Sequence, residues 1–299
     1  MKVEREHKLE LTYSDEKQLI QDLYNKARHQ QKGFAFWKSP ESEIKYICLG
    51  FNQSIHKKFD LENDKGFVVS SFINKNNSYY LIPPDLFITI SNKEIKVKGT
   101  ASENDIDEFL SNDTLLSIKE ELTDTSETTK EHYIKIVTEA VAQIKQEKLK
   151  KVVAARCKKA EKASVNAIEL FDQLSRTYPN TFVSLVYIPN EGTWIGASPE
   201  LLIAVENNNT LKTIALAATQ NVLQGQSTAE VVWKEKEIEE QALVNRYIAD
   251  CFKKLDIKNY EEKGPRTVRS GHLMHLRTDF SIPLKETSQS IKTPLLKLL

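Results

Sequence analysis

Four short segments in the second half of the sequence hold side chains suited to acid–base or metal chemistry. In Lys151-Val-Val-Ala-Ala-Arg156 a lysine opens an apolar run. Lysine is seldom placed inside a protein, and a buried amine is pushed toward its uncharged, basic form. The plainer reading is an edge lysine marking where a strand meets solvent. In Gly196-Ala-Ser-Pro-Glu200 glycine and proline bracket a tight turn and set a carboxylate at its exit, where a ligand can reach it. A hairpin turn with a solvated glutamate fits as well. In Ile214-Ala-Leu-Ala-Ala-Thr219 an apolar strand ends in small residues and a hydroxyl. Small side chains admit a ligand close to the backbone, and a packed strand end is the alternative. Last comes the acidic run Lys234-Glu-Lys-Glu-Ile-Glu-Glu240, followed by Gln241-Ala-Leu-Val244. On a helix Glu237 and Glu240 stand one turn apart, as do Glu235 and Glu239. Magnesium needs only one or two protein carboxylates beside substrate oxygens. Most of this run must be a solvated face, and only a residue turned inward could hold a metal.

The elements that would position these groups can be read from periodicity. Residues 15–31 carry Leu19, Ile20, Leu23 and Ala27 on one stripe, which predicts a helix. Strand-like runs follow at Gly33–Trp37, Ile44–Phe51, Gly66–Phe72, Tyr79–Ile82, Leu86–Ile90 and Glu94–Lys98, separated by turn residues. Thr100–Thr129 is rich in Ser, Asn, Asp, Glu and Thr and reads as a solvated connection. Residues 129–149 form an amphipathic helix with Tyr133, Ile136, Val137, Ala140, Val141 and Ile144 in 3.6-residue spacing. Lys151–Cys157 reads as a strand, Ala167–Thr177 as a helix, and Phe182–Ile188, Thr193–Ala197, Leu201–Glu206 and Leu211–Ala217 as strands joined by short turns. A long acidic helix covers roughly 229–256. Short turns favour antiparallel pairing, so the pattern points to an α+β fold and against a doubly wound parallel sheet.

Composition narrows the function. Lys plus Arg and Asp plus Glu are both 42, so a polyanionic partner such as nucleic acid is disfavoured. No apolar run approaches the ~20 residues of a membrane helix. The N-terminus Met1-Lys-Val-Glu-Arg-Glu-His7 has no apolar signal core, and a cytoplasmic protein is expected. Cys48, Cys157 and Cys251 are widely spaced without a CxxC pair, which predicts three core residues and neither zinc nor a disulfide framework.

Taken singly these segments decide little; their order does more. Lys-Val-Val-x-x-Arg, Gly-Ala-Ser-Pro-Glu, Leu-Ala-x-Thr, Glu-Lys-x-x-x-Glu-x-x-Leu-Val and His275-Leu-Arg-Thr278 together resemble the chorismate-binding enzyme family. The match runs from about Lys150 to Phe280, and the first hundred residues are only loosely similar. The family includes isochorismate synthase, salicylate synthase, anthranilate synthase component I and aminodeoxychorismate synthase component I. The resemblance implies two large antiparallel sheets packed face to face with helices outside, in a single domain over 1–299. Residues 1–105 form its loosely matching half and 129–299 its motif-bearing half.

It also implies roles. Lys151 occupies the place of the lysine that activates water in the isochorismate branch, where the amination branches usually carry glutamine. Glu200 matches the general acid that protonates the departing hydroxyl. Ala217 stands where the aminodeoxychorismate branch has a nucleophilic lysine, so water addition is implied. Thr219 and His275 match residues at the substrate, and Glu240 matches a magnesium ligand. Lys151 must then be neutral to accept a proton, and burial beside Val152, Val153 and Ala154 is expected to favour that form. Arg156, Arg266 and Arg269 are candidates, by charge alone, for the substrate carboxylates.

The implied activity is Mg2+-dependent conversion of chorismate to isochorismate, serving menaquinone or siderophore synthesis, and a monomer with no nucleic-acid or membrane partner is expected. Salicylate synthase and an anthranilate synthase-like enzyme are the alternatives. The pattern also departs from the family. Ala218 stands where Leu-Ala-Gly-Thr is usual, and Gln241 where histidine is frequent. The family's later segments, including a substrate-binding arginine and a second metal-binding glutamate, find no match before Leu299. A C-terminally truncated chain is expected on that ground, and an inactive fragment with a binding or regulatory role is the alternative from another class.

Overall fold

Short alternating strands broken by Asn, Asp, Gly and Pro turns leave little room for parallel crossovers, and every strand pair in the fold is antiparallel. The computed structural model describes residues 5–6, 15–52, 54–56, 64–72, 79–92, 94–112, 127–160, 165–206, 209–222 and 225–284. In chain order the elements are β1 (Arg5–Glu6), α1 (Glu16–His29), β2 (Gly33–Lys38), β3 (Lys45–Gly50), β4 (Ser54–His56), β5 (Phe67–Ser70), β6 (Tyr79–Ile82), β7 (Leu86–Ser91), β8 (Glu94–Gly99), α2 (Glu103–Ser111), α3 (Lys130–Lys145), α4 (Ala167–Thr177), β9 (Phe182–Ile188), β10 (Gly192–Ser198), β11 (Ala204–Val205), β12 (Thr210–Asn221), α5 (Glu235–Lys254), β13 (Glu261–Ser270) and β14 (Leu273–Pro283). Part of the Thr100–Thr129 connection, residues 113–126, lies outside the described residues, as do residues 285–299.

The architecture is α+β, with antiparallel sheets and helices on their outer faces. A seven-stranded sheet runs β1-β8-β7-β3-β2-β9-β10. One face is covered by α1, α2 and α4, whose Leu19, Leu23, Ile106, Phe109, Ile168 and Phe171 pack on Phe34, Phe36, Leu49 and Leu185. Asp15 starts α1 by accepting from Lys17 N–H, and Ser102 with Asp105 closes a capping box at the start of α2. The other face carries Ala35, Cys48 and Val186 and meets the small β4-β6-β5 sheet through Ile82, Phe67, Val69 and Tyr80. A separate four-stranded sheet, β11-β12-β14-β13, is backed by α5, with Ile248, Cys251 and Phe252 against Leu211, Ala215, Phe280 and Ile282.

Several expectations are corrected. Lys151–Cys157 is not a strand. Residues 151–160 adopt no regular structure, Val153 is 83 % exposed and Cys157 is exposed. β-propensity yields a strand only where a partner ladder exists, and among the described residues this segment's backbone bonds run to Thr128, whose N–H donates to Cys157 C=O and whose Oγ1 accepts from Cys157 N–H. The expected burial of Lys151 by Val152 and Val153 is therefore absent. Cys157 also departs from the expectation of three core cysteines, which holds for Cys48 and Cys251. Helix α3 ends at Lys145, short of the predicted 149, and buries none of its residues; Ile134, Val137, Val141 and Ile144 are exposed. Leu201–Glu206 shortens to the two residues of β11.

Candidate functional site

The site grows from an irregularity in the four-stranded sheet. β12 and β14 pair with Thr219 opposite His275 and Ala217 opposite Leu276, leaving Ala218 as an extra residue between them. Ala218 has φ +54°, in the left-handed region that favours glycine. That conformation accounts physically for the glycine common at this position of the Leu-Ala-x-Thr segment. The bulge turns Thr219 Oγ1 to 3.1 Å from His275 Nδ1. His275 is buried, and its Nε2 has no hydrogen-bond partner among the described residues. Burial holds its imidazole below the ordinary value of 6.5, with the Ala218 backbone and the negative charge of Glu200 pulling the other way. Glu200 thus lies close enough for its charge to be felt at the ring. It is itself exposed, just beyond β10, with its backbone N–H donated to Ser198 Oγ.

Helix α5 supplies the second wall. Glu237 is consumed in starting the helix, its Oε2 accepting from Lys234 N–H at 2.7 Å and from Gln220 Nε2 at 3.1 Å. Glu239 pairs with Arg246 on the outer face at 2.6 Å. Glu240 turns inward: its Oε1 is 3.2 Å from Lys151 Nζ, and the two side chains are 35 % and 28 % exposed. The next residue, Gln241, is buried and bonds to β12, accepting from Ala217 N–H at 2.9 Å and donating to Ala215 C=O at 3.1 Å.

Two pairings result, Lys151 with Glu240 by an ion pair and Thr219 with His275 by a hydrogen bond, the ring also feeling the charge of Glu200; Gln241, next to Glu240, bonds to Ala217, two residues before Thr219. The arginine candidates divide. Arg156 is exposed, and Arg269 donates its Nε to Gly271 C=O at 3.0 Å. Arg266 Nη2 meets Asp279 Oδ2 at 2.7 Å, while Arg277 gives Nε and Nη2 to Asp279 Oδ1 at 2.9 and 2.6 Å. Arg277 and Asp279 were not singled out by sequence reasoning. Their signal is the two-residue spacing His275-x-Arg277-x-Asp279, which sets all three on one face of β14.

Among the described residues no three His, Cys, Asp or Glu side chains gather as a metal cluster. A hard cation that keeps waters and borrows substrate oxygens needs fewer ligands. Glu240, partly open and offset by one ammonium, fits such a cation.

A family model for chorismate binding enzymes matches residues 60–294. MenF, the menaquinone-specific isochorismate synthase of Escherichia coli, aligns with a TM-score of 0.65 at 17 % identity, over 99 % of this chain and 73 % of that one. DhbC of Bacillus anthracis, described as a 2,3-dihydroxybenzoate-specific isochorismate synthase, aligns with a TM-score of 0.60 at 19 % identity, over 90 % of this chain and 72 % of that one. At these identities the likeness is one of fold. No curated protein sequence matches the chain. No helix among the described residues is long and apolar enough to cross a membrane.

Proposed function

This chain belongs to the chorismate-binding enzyme family, and from that footing we propose that it converts chorismate to isochorismate with the help of Mg2+. The observation that carries the reading is the Gln241–Ala217 contact, which ties the helix bearing Glu240, the ion-pair partner of Lys151, to the strand bearing Thr219, the partner of His275, whose ring feels the charge of Glu200.

In this reading Lys151 Nζ takes a proton from water as the water oxygen bonds to one ring carbon. Glu200 gives its proton to the hydroxyl leaving another ring carbon, which departs as water. One water enters and one leaves, so the net reaction is an isomerisation. Both side chains can return to their starting protonation by exchange with solvent, since Lys151 is partly exposed and Glu200 exposed. Bound at Glu240, Mg2+ would supply positive charge for the ring carboxylate of a dianionic substrate and would replace the Lys151 ammonium as the partner of Glu240, leaving Lys151 to act as the neutral amine that the step requires. His275 Nε2 is the buried polar atom left for a substrate oxygen. Ala217 supports water over ammonia chemistry, because its methyl group offers no nucleophile where the amination branch has a lysine.

Incubating the chain with chorismate, with and without Mg2+, and separating the products tests the reading. Isochorismate formed only with Mg2+ is expected. Salicylate or anthranilate as the main product, or no consumption of chorismate, would overturn it.

A further inference from the structure

Gln241 lies one residue from Glu240 and is 1 % exposed. A glutamine this deep in a sheet–helix interface must satisfy its whole amide, since each buried unpaired polar group costs about 1–3 kcal/mol. Gln241 does so with residues of both neighbouring strands. Its Oε1 accepts from Ala217 N–H at 2.9 Å. Its Nε2 lies 3.1 Å from Ala215 C=O, 3.2 Å from Thr278 Oγ1 and 3.2 Å from Asn245 Oδ1. Asn245, one turn on, also donates to Thr278 Oγ1 at 3.0 Å. The amide offers β12 what a neighbouring peptide group would: an acceptor for one N–H and a donor for one C=O. The attachment falls at Ala217, immediately before the Ala218 bulge that turns Thr219 toward His275.

We propose that Gln241 is a positioning residue that fixes the register of α5 against the β12 bulge, so that Glu240 faces Lys151 and a bound Mg2+ while Thr219 and His275 face the substrate. The assignment rests on the reading given under Proposed function. Apolar packing of Ile248, Cys251 and Phe252 holds the C-terminal half of α5, but packing is non-directional and tolerates sliding. The amide bonds supply a directional contact at the end that carries Glu240. Gln241 does not touch the reacting atoms in this scheme; it acts through Glu240 and Thr219.

The test uses Gln241→Leu and Gln241→His in the full chain, with near-UV circular dichroism to confirm folding. In Gln241→Leu the half-saturating Mg2+ for chorismate turnover should rise at least tenfold. The Mg2+-dependent rise in Tm should weaken in parallel, and the Ala217 amide proton should exchange at least tenfold faster. A side chain that merely stabilised the fold would lower the folded fraction and leave the Mg2+ midpoint of the folded molecules unchanged. Neutral imidazole retains one donor and one acceptor, so Gln241→His should recover near-normal Mg2+ dependence at pH 8.

A Mg2+ midpoint within twofold of the unsubstituted chain in Gln241→Leu would overturn the proposal. Should that variant not fold, Gln241→His decides at pH 8, and a folded Gln241→His whose Mg2+ midpoint is raised tenfold or more would overturn the proposal. Turnover by the unsubstituted chain with unchanged Mg2+ dependence in the variants sinks this assignment alone. No turnover by the unsubstituted chain sinks the functional reading and this assignment with it.

Discussion

Lys151 Nζ lies 3.2 Å from Glu240 Oε1, an ion pair joining the irregular segment after α3 to the first half of α5. Both side chains are about one-third exposed, so solvent screens the pair and it contributes at most about 1 kcal/mol to stability. Removing either partner should leave the fold intact. Lys151→Ala should lower kcat by about two to four powers of ten, the usual share of a general base, with Tm little changed. Glu240→Gln should instead raise the Mg2+ requirement before it lowers the maximal rate. Steady-state kinetics over a Mg2+ series separates the two effects.

His275 makes stability depend on pH. Burial holds its folded value below the ordinary 6.5. The unfolded chain therefore takes up a proton more readily than the folded one. The stability this contributes is fully present above pH 6.5 and is lost as pH falls through the lower, folded value. Thermal unfolding followed between pH 7.5 and pH 5 should show Tm falling on acidification. His275→Gln, which cannot titrate, should show a shallower fall.

Ala218 holds a backbone conformation that costs an L-residue about 1–2 kcal/mol and glycine almost nothing. Against this, glycine loses about 0.5–1 kcal/mol more through unfolded-state entropy. Ala218→Gly should therefore raise the unfolding free energy slightly, by about 0.5–1 kcal/mol, which urea denaturation can resolve. A loss of more than 1 kcal/mol would contradict the left-handed assignment.

The three cysteines should label unequally. Cys48 is buried, its Sγ is 3.4 Å from Ile82 C=O, and burial pushes its thiol up to about 12. Cys251 is buried against Phe252 and Ile248 in the α5 core, whereas Cys157 is exposed. A thiol reagent applied to the native chain should modify Cys157 fast and the other two only on unfolding, as peptide mapping would show.

Much of this was legible in the sequence because local signals and burial agreed. The Leu19, Ile20, Leu23 and Ala27 stripe became the inner face of α1, whereas α2 lies inside the segment that reads as a solvated connection. In the acidic run Glu240 pairs with Lys151 and Glu239 with Arg246. What the sequence could not convey depends on partners distant along the chain. Val152 and Val153 read as strand residues, yet a strand requires a ladder. The apolar stripe of α3 reads as a core face, yet periodicity does not say what stands opposite it. Gln241 looked like a departure from the usual histidine, and its value emerged only when Ala215, Ala217 and Thr278 were seen to converge on its amide. The Arg266–Asp279–Arg277 cluster was missed although β13 and β14 are consecutive, because neither strand of that hairpin was read from the sequence.

The reaction scheme has solvent water supplying the new hydroxyl oxygen. Turnover of chorismate in 18O-labelled water with Mg2+, read by mass spectrometry of the isolated product, tests this most directly. Isochorismate carrying one 18O atom is the predicted result, and Lys151→Ala should form none. Isochorismate without label, or a product bearing nitrogen when ammonium is supplied, would contradict a lysine-activated water at Lys151.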